Sequence, residues 1–368
     1  MSVETKAAIV RKPAGPMTIE DVTIDSLRDN EILVRIAGTG LCHTDLVFAA
    51  GLTILKPPAV FGHEGAGIVE KIGDAVAGVS VGDHVVMTFN SCGNCVRCES
   101  GHPAYCLQFP AMNYGSGRAD GSCTVHVGDQ CVSANFFGQS SFAGYAIGNE
   151  RNVVPIDKDV PIELMGALGC GVQTGAGSVM NAMACPEGST LVILGGGAVG
   201  LSAVLGGAIQ GCSTIIVIEP KPSRREMALE LGATHVIDPA DGDVVAAVRE
   251  IVTIGVDFIF DTTGIPDLLT QSIQMLAPLG TLGIVGISNP IDASLPLPIN
   301  QMVGAGFRVM GIIEGDVDPH EFIPRMVSLY REGRFPFDKL LKSYKLEDIN
   351  EAIADQHAGQ CIKPVLIP

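Results

Sequence analysis

The sequence predicts an α/β chain in which a doubly wound parallel sheet is inserted in an irregular, mostly-β domain. Three observations carry that prediction. From about 170 to 310, short apolar β-type runs alternate with helix-type runs; within that stretch a glycine cluster sits between a strand and a helix; and the first 150 or so residues hold short β-type runs among glycines and turn residues. Strand-helix alternation builds a parallel sheet covered on both faces, whereas short strands separated by turn signals build antiparallel structure.

In the first domain, 1–169, β-type runs fall at 32–37, 67–72 and 84–89, with few stretches long enough for extended helices. The second domain, 170–310, opens with the short apolar strand 190–194, then a small-residue helix over 198–210 and the β-branched strand 214–218. The pattern continues as helix 223–231, strand 235–237, helix 244–252, strand 258–261, helix 268–276 and strand 281–285. The remainder, 311–368, carries an amphipathic helix over 321–332, another over 346–357 and a closing strand at 363–367, and reads as a return to the first domain.

Composition narrows the function. With 40 acidic against 23 basic residues the net charge is -17, which repels polyanions, so neither nucleic acid nor an anionic membrane is an expected partner. The uncharged run 188–218 exceeds the ~20 residues a helix needs to cross a bilayer. Its glycines divide it into strand, turn, helix and strand instead. Residues 1–11 carry Glu4 and Lys6 and no apolar run or small-residue cleavage site, so no secretory signal is read and a cytoplasmic location is expected. The 11 cysteines then argue for thiols and metal ligation, not for a disulfide framework.

Gly195, Gly197 and Gly200 form G-x-G-x-x-G, with Val199 in its last variable position, after a strand and opening a helix. That context is the dinucleotide fingerprint of a Rossmann unit: the first glycine permits the tight turn, the second lets a pyrophosphate approach the backbone, and the third lets helix and strand pack closely. The helix N-terminus offers free N–H groups to the anion. Glu219 ends the next strand, where such a unit places an acid on the adenosine ribose, and this favours NAD over NADP. An exposed strand-end glutamate is the plainer alternative, and Arg224 and Arg225 nearby are able to receive a phosphate.

Cys92, Cys95, Cys98 and Cys106 have the spacing C-x2-C-x2-C-x7-C and read as a closed structural zinc site in a polar lobe at about 91–107. An iron-sulfur cluster, a redox C-x-x-C pair and unliganded thiols are the rivals, although the fourth cysteine lies too far along for the bacterial ferredoxin spacing. Cys123, Cys131, Cys185, Cys212 and Cys361 show no ligand spacing and are expected to be ordinary thiols.

Gly40-Leu41-Cys42-His43-Thr44-Asp45, Gly62-His63-Glu64-Gly65-Ala66-Gly67, the four-cysteine lobe, Gly169-Cys170-Gly171-Val172-Gln173-Thr174-Gly175 and the fingerprint together resemble the zinc-dependent medium-chain alcohol dehydrogenases over essentially the whole chain. The loop 46–60 and the segment 135–142 are most similar to bacterial aryl-alcohol (benzyl alcohol) dehydrogenases. The resemblance implies a GroES-like catalytic domain around a Rossmann domain, with the active site in the cleft between them. It implies two zinc ions per subunit, the catalytic one held by Cys42, His63 and Cys170 with a vacancy for water or the substrate oxygen, and Glu64 able to approach it during ligand exchange.

By the same resemblance Asp45 orients the histidine ligand, and Thr44 bonds the alcohol and passes on its proton. His43 and Lys363 face the coenzyme pyrophosphate, and Thr174 lines the nicotinamide site; a surface lysine is the plainer reading of Lys363. The histidine that ends the proton relay in the animal and yeast enzymes is replaced here by Val47, leaving the ribose hydroxyl, water or His43 as exits.

The expected activity is NAD-dependent oxidation of a primary, benzyl-type alcohol to its aldehyde. The loop residues Val47, Phe48, Leu52, Ile54, Leu55, Pro57 and Pro58 suit an apolar substrate. Rivals are the glutathione-dependent formaldehyde dehydrogenases, whose acidic loop residues are missing here, general aliphatic alcohol dehydrogenases, and non-enzymatic members of the fold, which lack the zinc ligands. A homo-oligomer, dimer or tetramer, joined along the apolar run 307–313 is also implied.

Overall fold

The computed structural model describes residues 2–51 and 55–368, so Leu52 and Ile54 of the apolar loop lie outside the described residues. The chain divides into one unit of Met1–Gly171, Asp318–Gly333 and Asp338–Pro368, and a second of Val172–Val317 and Arg334–Phe337. The crossing therefore comes at 317–318, some residues past the expected return at 311. The reason lies inside the second unit: after strand Arg308–Gly311 the chain runs on into a buried turn at Glu314, whose carboxylate accepts from Gln173 Nε2 at 3.0 Å.

In the first unit, Ile32–Gly40 pairs antiparallel with Gly65–Ile72, Tyr145–Gly148 and Lys363–Ile367, in a sheet that also holds His84–Met87, Val153–Ile156 and Leu341–Lys345. Ile32, Val34 and Ile36, two apart, share one face and are buried with Val69, Val85 and Met87, the period-two pattern of a half-buried strand. A second sheet joins Ala59–Val60, Val3–Val10, Met17–Ile24, Val125–Val127 and Gln130–Val132.

The second unit holds a parallel sheet in the order His235–Ile237, Thr214–Ile218, Thr190–Leu194, Val256–Asp261, Leu276–Ile284, Arg308–Gly311. Numbered along the chain this is 3-2-1-4-5-6, the doubly wound order of a Rossmann domain, whose switch point falls between Thr190–Leu194 and Val256–Asp261. Val192, Leu194, Ile216, Ile218 and Ile259 bury one face against Val244 and Val248 of helix Val244–Ile251. The uncharged run resolves into strand, the helix Ala198–Gln210 and strand. No helix among the described residues is long and apolar enough to cross a membrane.

Two expectations are corrected. The strand read at 281–285 begins earlier, as Leu276–Ile284; Pro278 and Gly280 conceal its first half in the sequence, and Leu279 between them takes a left-handed φ of 67°. Cys123 and Cys131 are not ordinary thiols; they form a disulfide with Cα atoms 5.8 Å apart. Cys131 sits in strand Gln130–Val132 opposite His126, and Cys123, two residues before strand Val125–Val127, lies close enough to reach it across the hairpin. Cys185, Cys212 and Cys361 are free.

Replacing Cys123 and Cys131 by serine is expected to cost on the order of 2 kcal/mol through the unfolded state. Calorimetry with a zinc-neutral phosphine reductant reads it: reduction should lower the wild-type transition to that of the double variant, and a wild type unmoved by reductant would contradict the bond's contribution.

Candidate active site

The first unit gathers four potential metal ligands from distant parts of the chain. Cys42 precedes helix His43–Ala49, whose Asp45 caps its own first turn by accepting from Cys42 N at 3.0 Å. The same fully buried carboxylate accepts from Gly62 N at 3.0 Å and lies 2.8 Å from His63 Nδ1. A carboxylate only accepts, so Nδ1 carries the proton and Nε2 is turned to the site. Gly62 has φ +94°, and a Cβ there would come within 2.5 Å of Phe142 N, so the turn that presents His63 requires glycine.

Cys170 follows the tight segment Gly166–Gly169, whose last glycine leaves no room for a Cβ against the Met87 carbonyl. The donor atoms of Cys42, His63, Glu64 and Cys170 lie within 4.8 Å of one another. His63 Nε2 is buried and has no hydrogen-bond partner among the described residues. Two sulfurs, an imidazole nitrogen and a carboxylate converging on such an orphaned lone pair fit a zinc ion, with Cys₂His ligation of the catalytic type.

The electrostatics suit a cation. The Cys42 thiol is held well below its ordinary range by its hydrogen bond with Cys170, against burial, with help from Lys363 and His63. Burial pushes Glu64 up to about 7, although Lys363 pulls the other way. His63 is raised well above its ordinary value: burial opposes its charge, and Asp45, followed by Cys42, outweighs burial. A metal ion at Nε2 competes with that proton.

Lys363 is not a surface lysine. It is 1% exposed, and its Nζ lies on the Glu64 carboxylate, which also accepts from Gly171 N at 2.9 Å. Burial works against the Lys363 charge, but Glu64 and then Cys42 raise its pKa. Thr44 Oγ1 lies 3.8 Å from Cys42 Sγ, and His43 is exposed.

Sequence reasoning gave no site role to three neighbours of His63. Gln139, buried, donates to the His63 carbonyl at 2.9 Å and accepts from Gly65 N at 3.0 Å. Phe137 stacks on the imidazole, ring centres 4.5 Å apart, and Phe136 meets it edge-on at 5.3 Å. Phe48 and Tyr114 extend this aromatic surface, 5.2 Å from Phe136 and 5.8 Å from Phe137. Phe137 holds φ 53°, a conformation that residue type does not signal.

In the polar lobe, the sulfurs of Cys92, Cys95, Cys98 and Cys106 lie within 4.8 Å of one another. Backbone N–H groups, that of Cys98 first, draw Cys95 down to about 6, while burial and then Cys95 push Cys98 up to about 12. Four sulfurs this close do not all ionise unaided, a conflict that a tetrahedral zinc ion would remove.

In the second unit, Gly195 takes φ +96° with Thr262 Oγ1 2.6 Å from where its Cβ would sit, and Gly200 leaves no room for a Cβ against the Gly195 carbonyl. A Cβ on Gly197 would meet nothing within 4 Å, which leaves the helix N-terminus open to an anion. Glu219 is buried, not exposed: it accepts from Gly196 N at 2.6 Å and Lys221 N at 2.9 Å. Arg224 Nη1 lies 3.9 Å from it. The Val199 carbonyl closes on Gly175, and Thr174 Oγ1 lies 3.5 Å from Glu314.

Comparison with known proteins decides the family. Residues 28–158 match the alcohol dehydrogenase GroES-like domain and 198–332 the zinc-binding dehydrogenase family. The chain is 44% identical to geraniol dehydrogenase of Castellaniella defragrans over 367 residues, 99% of this chain and 98% of that one. This chain belongs to the zinc-dependent medium-chain alcohol dehydrogenases. The alcohol dehydrogenase also superposes on an alcohol dehydrogenase zinc-binding domain protein from Burkholderia ambifaria, at 45% identity and TM-score 0.98 over 100% of both chains. Benzyl alcohol dehydrogenase from Acinetobacter calcoaceticus gives 41% and 0.96 over 99% of both. Those matches make this dehydrogenase an enzyme of alcohol substrates.

Asp45→Asn is expected to lower zinc affinity about 10–100-fold, because the Nδ1 proton loses its carboxylate acceptor. Competition with a chromophoric chelator measures this, and an unchanged affinity would remove Asp45 from the ligand-orienting role.

Proposed function

We propose that this alcohol dehydrogenase oxidises primary alcohols whose carbinol carbon adjoins an aromatic ring, using NAD. The observation that carries the reading is the aromatic cluster beside His63, in which the buried Phe136 and Phe137 pack on the imidazole and the half-buried Phe48 and Tyr114 pack on them. Offset and edge-on ring packing rewards a flat π-bearing substrate at that place by about 0.5–1.5 kcal/mol per contact. The named activity of the Acinetobacter relative supports it. That of the Castellaniella relative supports a second reading, an allylic terpenoid alcohol, which shares a π-system beside the carbinol carbon.

In this reading Cys42, His63 and Cys170 hold a catalytic zinc, Glu64 stands by as an alternative donor, and the four lobe cysteines hold a structural zinc. When bound, the catalytic ion supplies the Lewis acidity that lowers the pKa of an alcohol hydroxyl. Asp45 keeps the proton on His63 Nδ1, so that Nε2 stays a donor. Thr44, in the first turn beside Cys42, accepts the alcohol proton and hands it toward the coenzyme ribose, since Val47 offers no imidazole. Lys363 and Gly171 N–H hold the Glu64 carboxylate aside. Phe136 and Phe137, both buried, pack on the His63 ring and keep water from it.

The buried Glu219 carboxylate, oriented by Gly196 and Lys221, favours a free ribose over a 2'-phosphate and so supports NAD. The edge strand Arg308–Gly311, flanked by Leu279, Ile299 and Val303 at 73%, 75% and 80% exposure, favours a homo-oligomer through this strand.

A panel of benzyl alcohol, geraniol, ethanol and S-hydroxymethylglutathione, followed by NADH absorbance with zinc content measured on the same sample, tests the reading. The highest kcat/KM is expected for benzyl alcohol with NAD, and about 2 mol zinc per mol chain. A preference for ethanol or the glutathione adduct would overturn the substrate class, and faster turnover with NADP the coenzyme.

A further inference from the structure

The most completely buried acid of the second unit has no part in the chemistry above. Asp261 ends strand Val256–Asp261 at the switch point and pairs with Leu194, the residue before the first fingerprint glycine. It is fully buried, and among the described residues its carboxylate has no cationic partner. A carboxylate is tolerated in such a place only when donors surround it. Here there are three: Thr263 N at 3.1 Å and Thr263 Oγ1 at 2.6 Å on one oxygen, and Gly264 N at 3.0 Å on the other.

Those bonds fold the chain back on itself straight after the strand. The backbone joins in, because the Asp261 carbonyl accepts from Val285 N at 2.9 Å and so ties down the end of the neighbouring strand. Gly286 fits over the turn only as glycine, since a Cβ there would overlap Gly264 N. The folded turn places Thr262 Oγ1 2.6 Å and Thr263 Cγ2 3.1 Å from where a Cβ on Gly195 would lie, while Thr262 Oγ1 donates to the Leu194 carbonyl at 2.8 Å.

We infer that Asp261 is a coenzyme-positioning residue: its buried carboxylate holds Thr262 and Thr263 as the wall facing the Gly195 turn, against which the dinucleotide rests. The inference depends on the dinucleotide reading of Gly195–Gly200. Its energetic basis is the cost of leaving buried N–H donors unmet, which exceeds the net gain from making such bonds. An amide in place of the carboxylate turns an NH₂ group toward one of these donors. The wall then shifts without any change at Cys42, His63 or Cys170, which lie in the other unit.

The test is Asp261→Asn, with Thr263→Val as a milder variant that removes one donor to the carboxylate and the Oγ1 that accepts from Ile265 N at 3.2 Å. NADH dissociation constants are read by coenzyme fluorescence, alongside KM for alcohol at saturating NAD and zinc content. The expected result is a rise of about tenfold in the NADH dissociation constant for Asp261→Asn and about threefold for Thr263→Val, with alcohol KM and zinc content within twofold of wild type. If Asp261→Asn does not fold, Thr263→Val decides alone. NADH binding unchanged in folded variants, or a rise in alcohol KM and a loss of zinc in parallel with the loss of NADH binding, would overturn the inference. A wild type that binds neither NADH nor NADPH would instead overturn the dinucleotide reading itself.

Discussion

One buried carboxylate organises the ligand cluster. Asp45 joins the backbone of Cys42, the backbone of Gly62 and the ring of His63, three groups from two segments about twenty residues apart. Each of these contacts is worth little net by itself, yet each unmet buried donor would cost about 1–3 kcal/mol. The cost falls on any arrangement that separates the segments, so the helix start and the histidine turn are locked together before any ion arrives. The remaining donors depend on that lock, because Glu64 follows His63 directly and its carboxylate reaches back to Gly171 beside Cys170.

The glycines supply the other half of the geometry. Gly62 and Gly195 occupy left-handed turns, and Gly40, Gly169 and Gly200 let backbone or a ligand-bearing side chain come closer than any Cβ allows. In each case the residue beside the glycine, or the atom it admits, belongs to the chemistry: Glu64 beside Gly40, Cys170 after Gly169, the anion-facing helix at Gly200. Close approach and function coincide because a donor set of under 5 Å leaves no space for ordinary side chains between its carriers.

That coincidence explains how much could be read from residues alone. Thr190–Leu194, Ala198–Gln210, Thr214–Ile218, His235–Ile237 and Lys363–Ile367 have the bounds the pattern predicts, since each ends against a glycine, a charge or a proline. The fingerprint glycines sit in the conformations their spacing requires. Other features left no local trace. The Cys123–Cys131 bond depends on how the chain enters its hairpin, the stacking of Phe137 on His63 depends on a positive φ, and the burial of Glu219 and Lys363 depends on Gly196 and Glu64, 23 and 299 positions away. Residue type and spacing reveal a ligand, whereas what holds that ligand still is a tertiary fact.

The pairing of Lys363 with Glu64 spans 299 positions of chain. A ribosome releases residues in order, so the acidic and thiol-bearing pocket is exposed from the tunnel long before its lysine exists, and the whole parallel sheet is translated in the interval. Until position 363 emerges, Glu64 lacks its countercharge. The charge balance of the cluster is thus completed by the closing strand Lys363–Ile367, the last element of the chain to be made.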